Sequence, residues 1–285
     1  MNCYICDHTS HSFISGKVRD LPDVDILQCD ECGLVFLENF SHIHSNFYKD
    51  SGMYNGDIDL PQVQLRESRN DDTRRFQHVK DLICNKRVLD FGCAYGGFLD
   101  MAKTTASSCE GVEVNQRAQD VLNAKGIITY ADVDKIPDKN KYDIITLFHV
   151  LEHLPDPRNI LHKLAYHLEA DGHMIIEVPN SKDALTEIYK SKEFSEFTYW
   201  SCHLMLYNAD NLNLLFKQCG LRVDYIQQVQ RYPLSNHLYW MMKGRPGGHK
   251  VLNFLNSETL HAEYEKQLSS IGCCDTIIAK VRREY

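Results

Sequence analysis

The stretch Arg87-Val88-Leu89-Asp90-Phe91-Gly92-Cys93-Ala94-Tyr95-Gly96-Gly97-Phe98 decides the fold. Val88 to Phe91 reads as a short apolar strand, Gly92 to Gly97 as a loop, and Phe98 to Thr104 as the start of a helix. Glycines between a buried strand and a helix let a ligand approach the backbone closely, because no Cβ intervenes. A plain tight turn uses glycine the same way, so spacing must decide. Glu113 closes the next strand about twenty residues after Gly92, the distance at which a carboxylate in this architecture accepts hydrogen bonds from ribose hydroxyls. The loop therefore reads as a site for a nucleoside-like cofactor, a geometry that a nicotinamide enzyme would share.

Working outward, strands are expected near Cys109 to Val114, Ile127 to Tyr130, Asp143 to Phe148 and His173 to Val178. Helices are expected at Gln116 to Ala124 and Arg158 to Leu168. Strand, turn and helix in alternation specify a parallel sheet with right-handed crossovers, an α/β Rossmann-like domain over residues 86–285. Upstream, residues 41–85 are polar and read as a helical linker or cover, with a helix from Gln62 to Leu82. Downstream come a helix, the aromatic segment Phe194 to Tyr207, a helix from Asp210 to Cys219 and a strand from Leu221 to Gln230. Asp275 to Val281 reads as a closing strand, which leaves 233–270 as an insertion between the last two strands, placed to act as a lid over substrate.

The chain has 285 residues, is 43% hydrophobic and carries a net charge of −8. An acidic chain lacks the broad cationic field that gathers phosphate backbones, so a nucleic acid partner is not expected. No apolar run reaches membrane-spanning length, and the start is polar and cysteine-bearing, unlike a signal peptide. A cytoplasmic protein without a membrane partner is expected, and its oligomeric state stays open. Eleven cysteines, an odd number, point to thiols and metal in a reducing compartment rather than to disulfides.

Four of those cysteines form two pairs, Cys3-x2-Cys6 and Cys29-x2-Cys32. Such pairs make two knuckles that close a tetrahedral thiolate site, and Gly33 gives the second its turn. A segment of about forty residues is too small to be stable without a staple, so residues 1–40 read as a module held by structural zinc. A redox dithiol is disfavoured, since two matched pairs suit a closed site better than a reactive one. A nucleic-acid-binding ribbon is disfavoured by charge: Asp7, Asp20, Asp23, Asp25, Asp30, Glu31 and Glu38 face only Lys17 and Arg19.

Across residues 75–285 the order of motifs resembles the class I S-adenosylmethionine-dependent methyltransferases. Val88-Leu-Asp-Phe-Gly-Cys-Ala-Tyr-Gly96 is similar to that family's acidic strand end and G-x-G-x-G loop, with Ala94 at the middle glycine. Val112-Glu-Val-Asn115, Ala131-Asp-Val133, Tyr142 to Pro157 and Leu168 to Pro179 resemble the motifs that follow. The resemblance implies a mostly parallel seven-stranded sheet and S-adenosylmethionine as cofactor, with Asp90, Gly92, Gly96, Glu113, Asp132 and Phe148 as its contacts. His149 reads as a further residue lining that pocket. The cysteine module beside this core is similar to bacterial sugar and polysaccharide-pathway methyltransferases, including zinc-containing C-methyltransferases of deoxysugar nucleotides. In that group the N-terminal piece helps to cover the substrate cleft.

Methyl transfer is an in-line displacement at an activated sulfonium, so the protein aligns the acceptor and removes its proton. Histidine is the natural base. His149 and His153 lie four residues apart and share a face if their segment is helical. His203 sits in Tyr199-Trp-Ser-Cys-His-Leu-Met-Leu-Tyr207. His153 and His203 resemble the histidines of the deoxysugar C-methyltransferases, where a Glu precedes the second one. Here Cys202 stands in that place, which favours O- or N-methylation over C-methylation. The stretch Gln230 to Lys250 places Arg231, Tyr232 and Arg245 among aromatics, a composition suited to a sugar-containing or anionic acceptor, with Tyr199 also expected at the substrate. The rival reading from another class is an accessory protein that keeps the cofactor fold and docks a partner enzyme through its zinc knuckle. A protein or RNA methyltransferase is less favoured, since no Asn/Asp-Pro-Pro-Tyr-type motif follows the fourth strand of the core.

Overall fold

The structure is a computed structural model and describes residues 2–44, 47–50 and 60–284. Within the expected 41–85 cover, residues 45–46 and 51–59 therefore lie outside the described residues. Three short strands come first: β1 (His11–Phe13), β2 (Ile26–Cys29) and β3 (Val35–Leu37). The chain then forms the long helix Leu60–Ile83, in close agreement with the periodicity read from Gln62 to Leu82.

The large sheet begins with β4 (Arg87–Phe91), followed by β5 (Ser108–Val112), β6 (Ile128–Tyr130), β7 (Tyr142–Phe148) and β8 (Leu168–Pro179). All five run parallel. Their side chains are apolar on both faces, as they must be when helices cover both sides; Val88, Leu89, Ile145 and Ile176 are fully buried. After the two-residue strand β9 (Met205–Leu206), β10 (Leu221–Val229) and β11 (Thr276–Arg283) complete the sheet. β11 pairs antiparallel with both β8 and β10, giving the order β10-β11-β8-β7-β4-β5-β6. This is the expected Rossmann-like, mostly parallel seven-stranded arrangement. The chain leaves β4 toward β5 and β6, then returns to its other side at β7. The crevice beyond the carboxyl end of β4 is thus a topological switch point, where open α/β sheets bind ligands.

β8 starts five residues before the expected His173. A register irregularity between Tyr142 and Ile144 lets Leu168 pair with Tyr142 ahead of the main ladder. The preceding helix, Pro157–Tyr166, is correspondingly shorter than expected at its end; Asp156 caps it and Pro157 occupies its first turn.

The N-terminal sheet has the order β1-β2-β3-β9, so its fourth strand comes from the segment beyond the cofactor half. One hydrophobic core runs from Cys3, Ile5 and Phe36 through Leu204 and Met205 to Leu147 and Ile176. Arg158 and Gln218 both donate to the carbonyl of Ile5. The cysteine segment is accordingly packed into the large domain. The stretch 233–270 falls between β10 and β11, as expected, and carries the helices Leu234–Lys243, Gly248–Val251 and Glu258–Ser270. Among the described residues no helix is long and apolar enough to cross a membrane.

Candidate functional site

The loop after β4 is built on alternating left-handed residues, Gly92 (φ 79°), Ala94 (φ 45°) and Gly96 (φ 78°). At Gly92 a Cβ would stand 2.4 Å from Val150 Cγ2, so glycine is required by space as well as by backbone. The Ala94 amide donates to Glu113 Oε2 at 2.9 Å, and the Asn115 amide to Oε1 at 2.8 Å. Buried Glu113 thereby ties the loop to the end of β5. Asp90 accepts from Thr146 Oγ1 at 2.7 Å. Burial pushes its carboxyl up to about 7, against the smaller opposing effect of that hydroxyl.

Beyond this loop lies a cavity of about 490 Å³. Asp90, Gly92, Glu113, Phe148, His149 and His153 all contribute to its walls, together with apolar Phe91, Val112 and Val150. Tyr48 and His44 close it from the N-terminal side, and Leu65, Asp72 and Arg75 from the long helix. Gly96 and Asp132 are not among its walls. Gly96 instead starts the helix Gly97–Ala102. Asp132 is exposed and its carboxylate accepts from the Asp134 amide, as a loop acid capping a single turn.

One side of the cavity is an ionic floor. Glu177, on β8, accepts from Arg74 at 2.8 Å and Arg75 at 2.9 Å, with His149 Nε2 at 3.3 Å. Its burial alone would raise the pKa; Arg75, His149 and Arg74 outweigh that and hold it well below the usual carboxylate range. His149 has a left-handed backbone (φ 56°) and lies 3.1 Å from Glu152 Oε1. Glu152 is fully buried, yet the hydrogen bond with His149 and the nearby His153 bring its pKa to about 2.

Only a single 3-10 turn, Leu151–His153, follows β7, but it still puts His149 and His153 on the same cavity. His153 Nδ1 lies 2.7 Å from the carbonyl of Cys202. A carbonyl only accepts, so Nδ1 carries the proton and Nε2 presents a lone pair. His203 packs behind, its ring centroid 5.1 Å from that of His153 and 5.7 Å from Trp200. Burial, with His153 adding to it, pushes His203 down to about 3.

The remaining acceptor residues lie outside the cavity walls, and for Arg231 this corrects the expectation of an anion-binding insertion. Arg231 is committed to Asp71 (Nε to Oδ1, 2.9 Å) and to His149 (3.2 Å), and so supports the ionic floor from behind. Arg245 is exposed and donates to Tyr239. Tyr232 is 41% exposed, beside His249. Tyr199 packs against Gly16 and lines a separate cleft between the N-terminal segment and the helix Lys192–Thr198. Arg231 is thus claimed by an acid 160 positions away in sequence.

Cys3, Cys6, Cys29 and Cys32 converge as expected. Their sulfurs lie within 4.8 Å of one another, with Cys3 to Cys32 at 3.6 Å and Cys6 to Cys29 at 3.4 Å. A tetrahedral zinc with bonds of about 2.3 Å separates its thiolates by roughly 3.8 Å, so the four fit that ion.

Sequence reasoning missed Asp71, Arg74, Arg75, Glu177 and Tyr48. Glu177 did carry a signal: a lone carboxylate in the apolar run Met174 to Val178 of a fully buried strand needs cationic partners.

The sequence model of the family described as "Methyltransferase domain" matches residues 64–226. A ubiquinone biosynthesis O-methyltransferase of Hydrogenovibrio crunogenus is 22% identical over 71% of this chain and 88% of its own length. Further bacterial enzymes of that name match over only 43 to 46% of their own length. Among solved structures, a SAM-dependent methyltransferase from Archaeoglobus fulgidus superposes with a TM-score of 0.51 at 18% identity, covering 79% of this chain and 98% of that one. The plantazolicin methyltransferase BpumL in complex with SAH gives 0.51 at 16% identity, covering 84% and 93%.

Proposed function

The chain belongs to the methyltransferase-domain family, and from that premise we propose that it methylates a hydroxyl oxygen of a small, ring-bearing molecule in the cavity beside β4. It is an S-adenosylmethionine-dependent methyltransferase. The observation that carries the narrower reading is that one chamber joins the glycine loop and Glu113 to His153. S-adenosylmethionine supplies a methyl group already activated on a sulfonium. Asp90, Gly92, Glu113, Phe148 and His149 would hold it, and the loop without a Cβ at Gly92 leaves the close approach such a ligand needs. Gly96 and Asp132 would act on the cofactor only through the loops they cap.

His153 would act on the acceptor. Its Nδ1 proton is fixed on Cys202, so Nε2 is ready to take the hydroxyl proton. The apolar residues of the same cavity, among them Phe91, Val150 and Leu154, favour an acceptor with an apolar ring face. With Arg231 engaged by Asp71, Arg245 exposed and the cavity's own Arg75 held by Glu177, a neutral phenol or sugar fits better than a nucleotide sugar. Cys3, Cys6, Cys29 and Cys32 would hold structural zinc, fixing the N-terminal residues over the 199–204 loop. Asp20 accepts from both the amide and the hydroxyl of Ser201, and His42 bonds the Ser201 carbonyl, which supports a covering role.

The test uses methyl-labelled S-adenosylmethionine with matched panels of phenols, neutral sugars and nucleotide sugars. Label is expected on a neutral hydroxyl acceptor, and His153→Asn is expected to lower kcat about 10²- to 10⁴-fold while cofactor binding persists. Transfer to nucleotide sugars alone would refute the acceptor class, and binding of cofactor without turnover would favour the accessory reading.

A further inference from the structure

We propose that His153, Cys202 and His203 form a second metal site, distinct from the four N-terminal cysteines, that takes a borderline-soft divalent cation such as zinc at the wall of the cavity. One ligand atom from each of the three lies within 4.8 Å of the others. Two imidazoles and a thiol are a ligand set that selects zinc-like ions over magnesium or calcium.

The geometry around the three residues matches what metal-bound histidine requires. His153 donates Nδ1–H to a backbone carbonyl, the outer contact that fixes the tautomer and aims Nε2 at an ion. His203 Nδ1 and Glu152 Oε2 are buried with no hydrogen-bond partner among the described residues. An orphaned buried polar atom is destabilising, and a cation between the histidines would answer both. Glu152 Oε1 lies 3.9 Å from His153 Nε2, which places a carboxylate beside the site as counter-charge. The two loops are also stitched together, since Leu204 N donates to Glu152 O at 2.8 Å. A bound zinc brings its ligands to roughly 3.3–3.8 Å apart, a closure within reach of side-chain rotation.

His153 belongs to the cavity wall, so an ion on its Nε2 would lie beside the acceptor. Its use rests on the methyl-transfer reading above. In the metal-free chain His153 Nε2 takes the hydroxyl proton itself; with a cation bound, Nε2 is a ligand and the cation lowers the pKa of the acceptor hydroxyl instead. The hydroxyl proton leaves to solvent, the oxygen lone pair forms the new O–C bond, and the broken C–S bond leaves its pair on sulfur.

The experiment is metal stoichiometry on the full chain, loaded with zinc and desalted. The wild type is expected to hold two zinc ions per chain, and Cys202→Ser and His203→Gln one each. After cobalt replacement, the thiolate-to-metal absorbance of Cys202→Ser should fall by about one fifth, from five thiolate bonds to four. Circular dichroism confirms folding, and His153→Gln serves if either variant does not fold. One zinc per chain in the wild type, unchanged in all three variants, overturns the site and leaves an aromatic cluster only. That result with transfer intact leaves the proposed function standing, whereas two ions with no transfer to any acceptor sinks the function and keeps the site.

Discussion

Two walls of one cavity hold buried carboxylates that respond to burial in opposite ways. On the glycine-loop side, Asp90 has a single strong neutral partner, the Thr146 hydroxyl, and burial pushes it up to about 7. On the ionic floor, Glu177 is as deeply enclosed but faces Arg74, Arg75 and His149, and it stays far below the ordinary range. Partners, not depth, decide which buried acid keeps its charge. The protein thus presents one wall whose Asp90 is readily protonated and, beneath His149, a fixed charged lattice.

Breaking the floor should have the largest effect. Glu177→Ala leaves two guanidinium groups facing an apolar strand, and truncating one partner of a buried ionic cluster costs about 3–5 kcal/mol. Urea unfolding is expected to show that loss. A change under about 1 kcal/mol would mean that water already solvates Arg74 and Arg75, and the contrast between the walls would fall.

The contrast also explains what could be read in advance. The glycine-loop wall was legible because its information is local: a strand, three loop positions and an acid one strand later all lie within Val88 to Glu113. The cysteine pairs were legible for the same reason. The floor joins Asp71, Arg74 and Arg75 on one helix to Glu177 and Arg231, over a hundred positions away. Charge pattern shows that a cation exists but not which acid it meets. For that reason Arg231 read as a free anion-binding group, while the structure shows it paired.

A second test sets the two walls against each other by pH. Asp90 is raised in the folded state, from about 3.8 to about 7, so the folded chain holds a proton there that the unfolded chain has lost. Its contribution is fully present below pH 3.8 and is lost as pH rises through 7, by at most about 1.4 kcal/mol per unit. Glu152 is depressed, from 4.5 to about 2, so its contribution is present above pH 4.5 and is lost as pH falls toward 2. Stability of the wild type relative to Asp90→Asn should therefore fall between pH 4 and 7, while relative to Glu152→Gln it should fall below pH 4.5. Parallel profiles for the two variants would show that the walls do not differ.

The smallest effect concerns the loop itself. Ala94 occupies a left-handed conformation, φ 45°, at the position where the resembling family carries its middle glycine. An L-residue there costs roughly 1–2 kcal/mol against glycine, while glycine adds unfolded-chain entropy worth about 0.4–1 kcal/mol. Relief of backbone strain outweighs the added entropy, so Ala94→Gly should raise stability by about 0.5–1 kcal/mol in urea unfolding. The Ala94 amide must keep its bond to Glu113 Oε2 for that sign to hold, since the variant removes only the methyl. If Ala94→Gly is instead destabilising, the methyl is packing against the cavity wall rather than straining the backbone. Weaker cofactor binding in the same variant would then mark Ala94 as a contact in its own right.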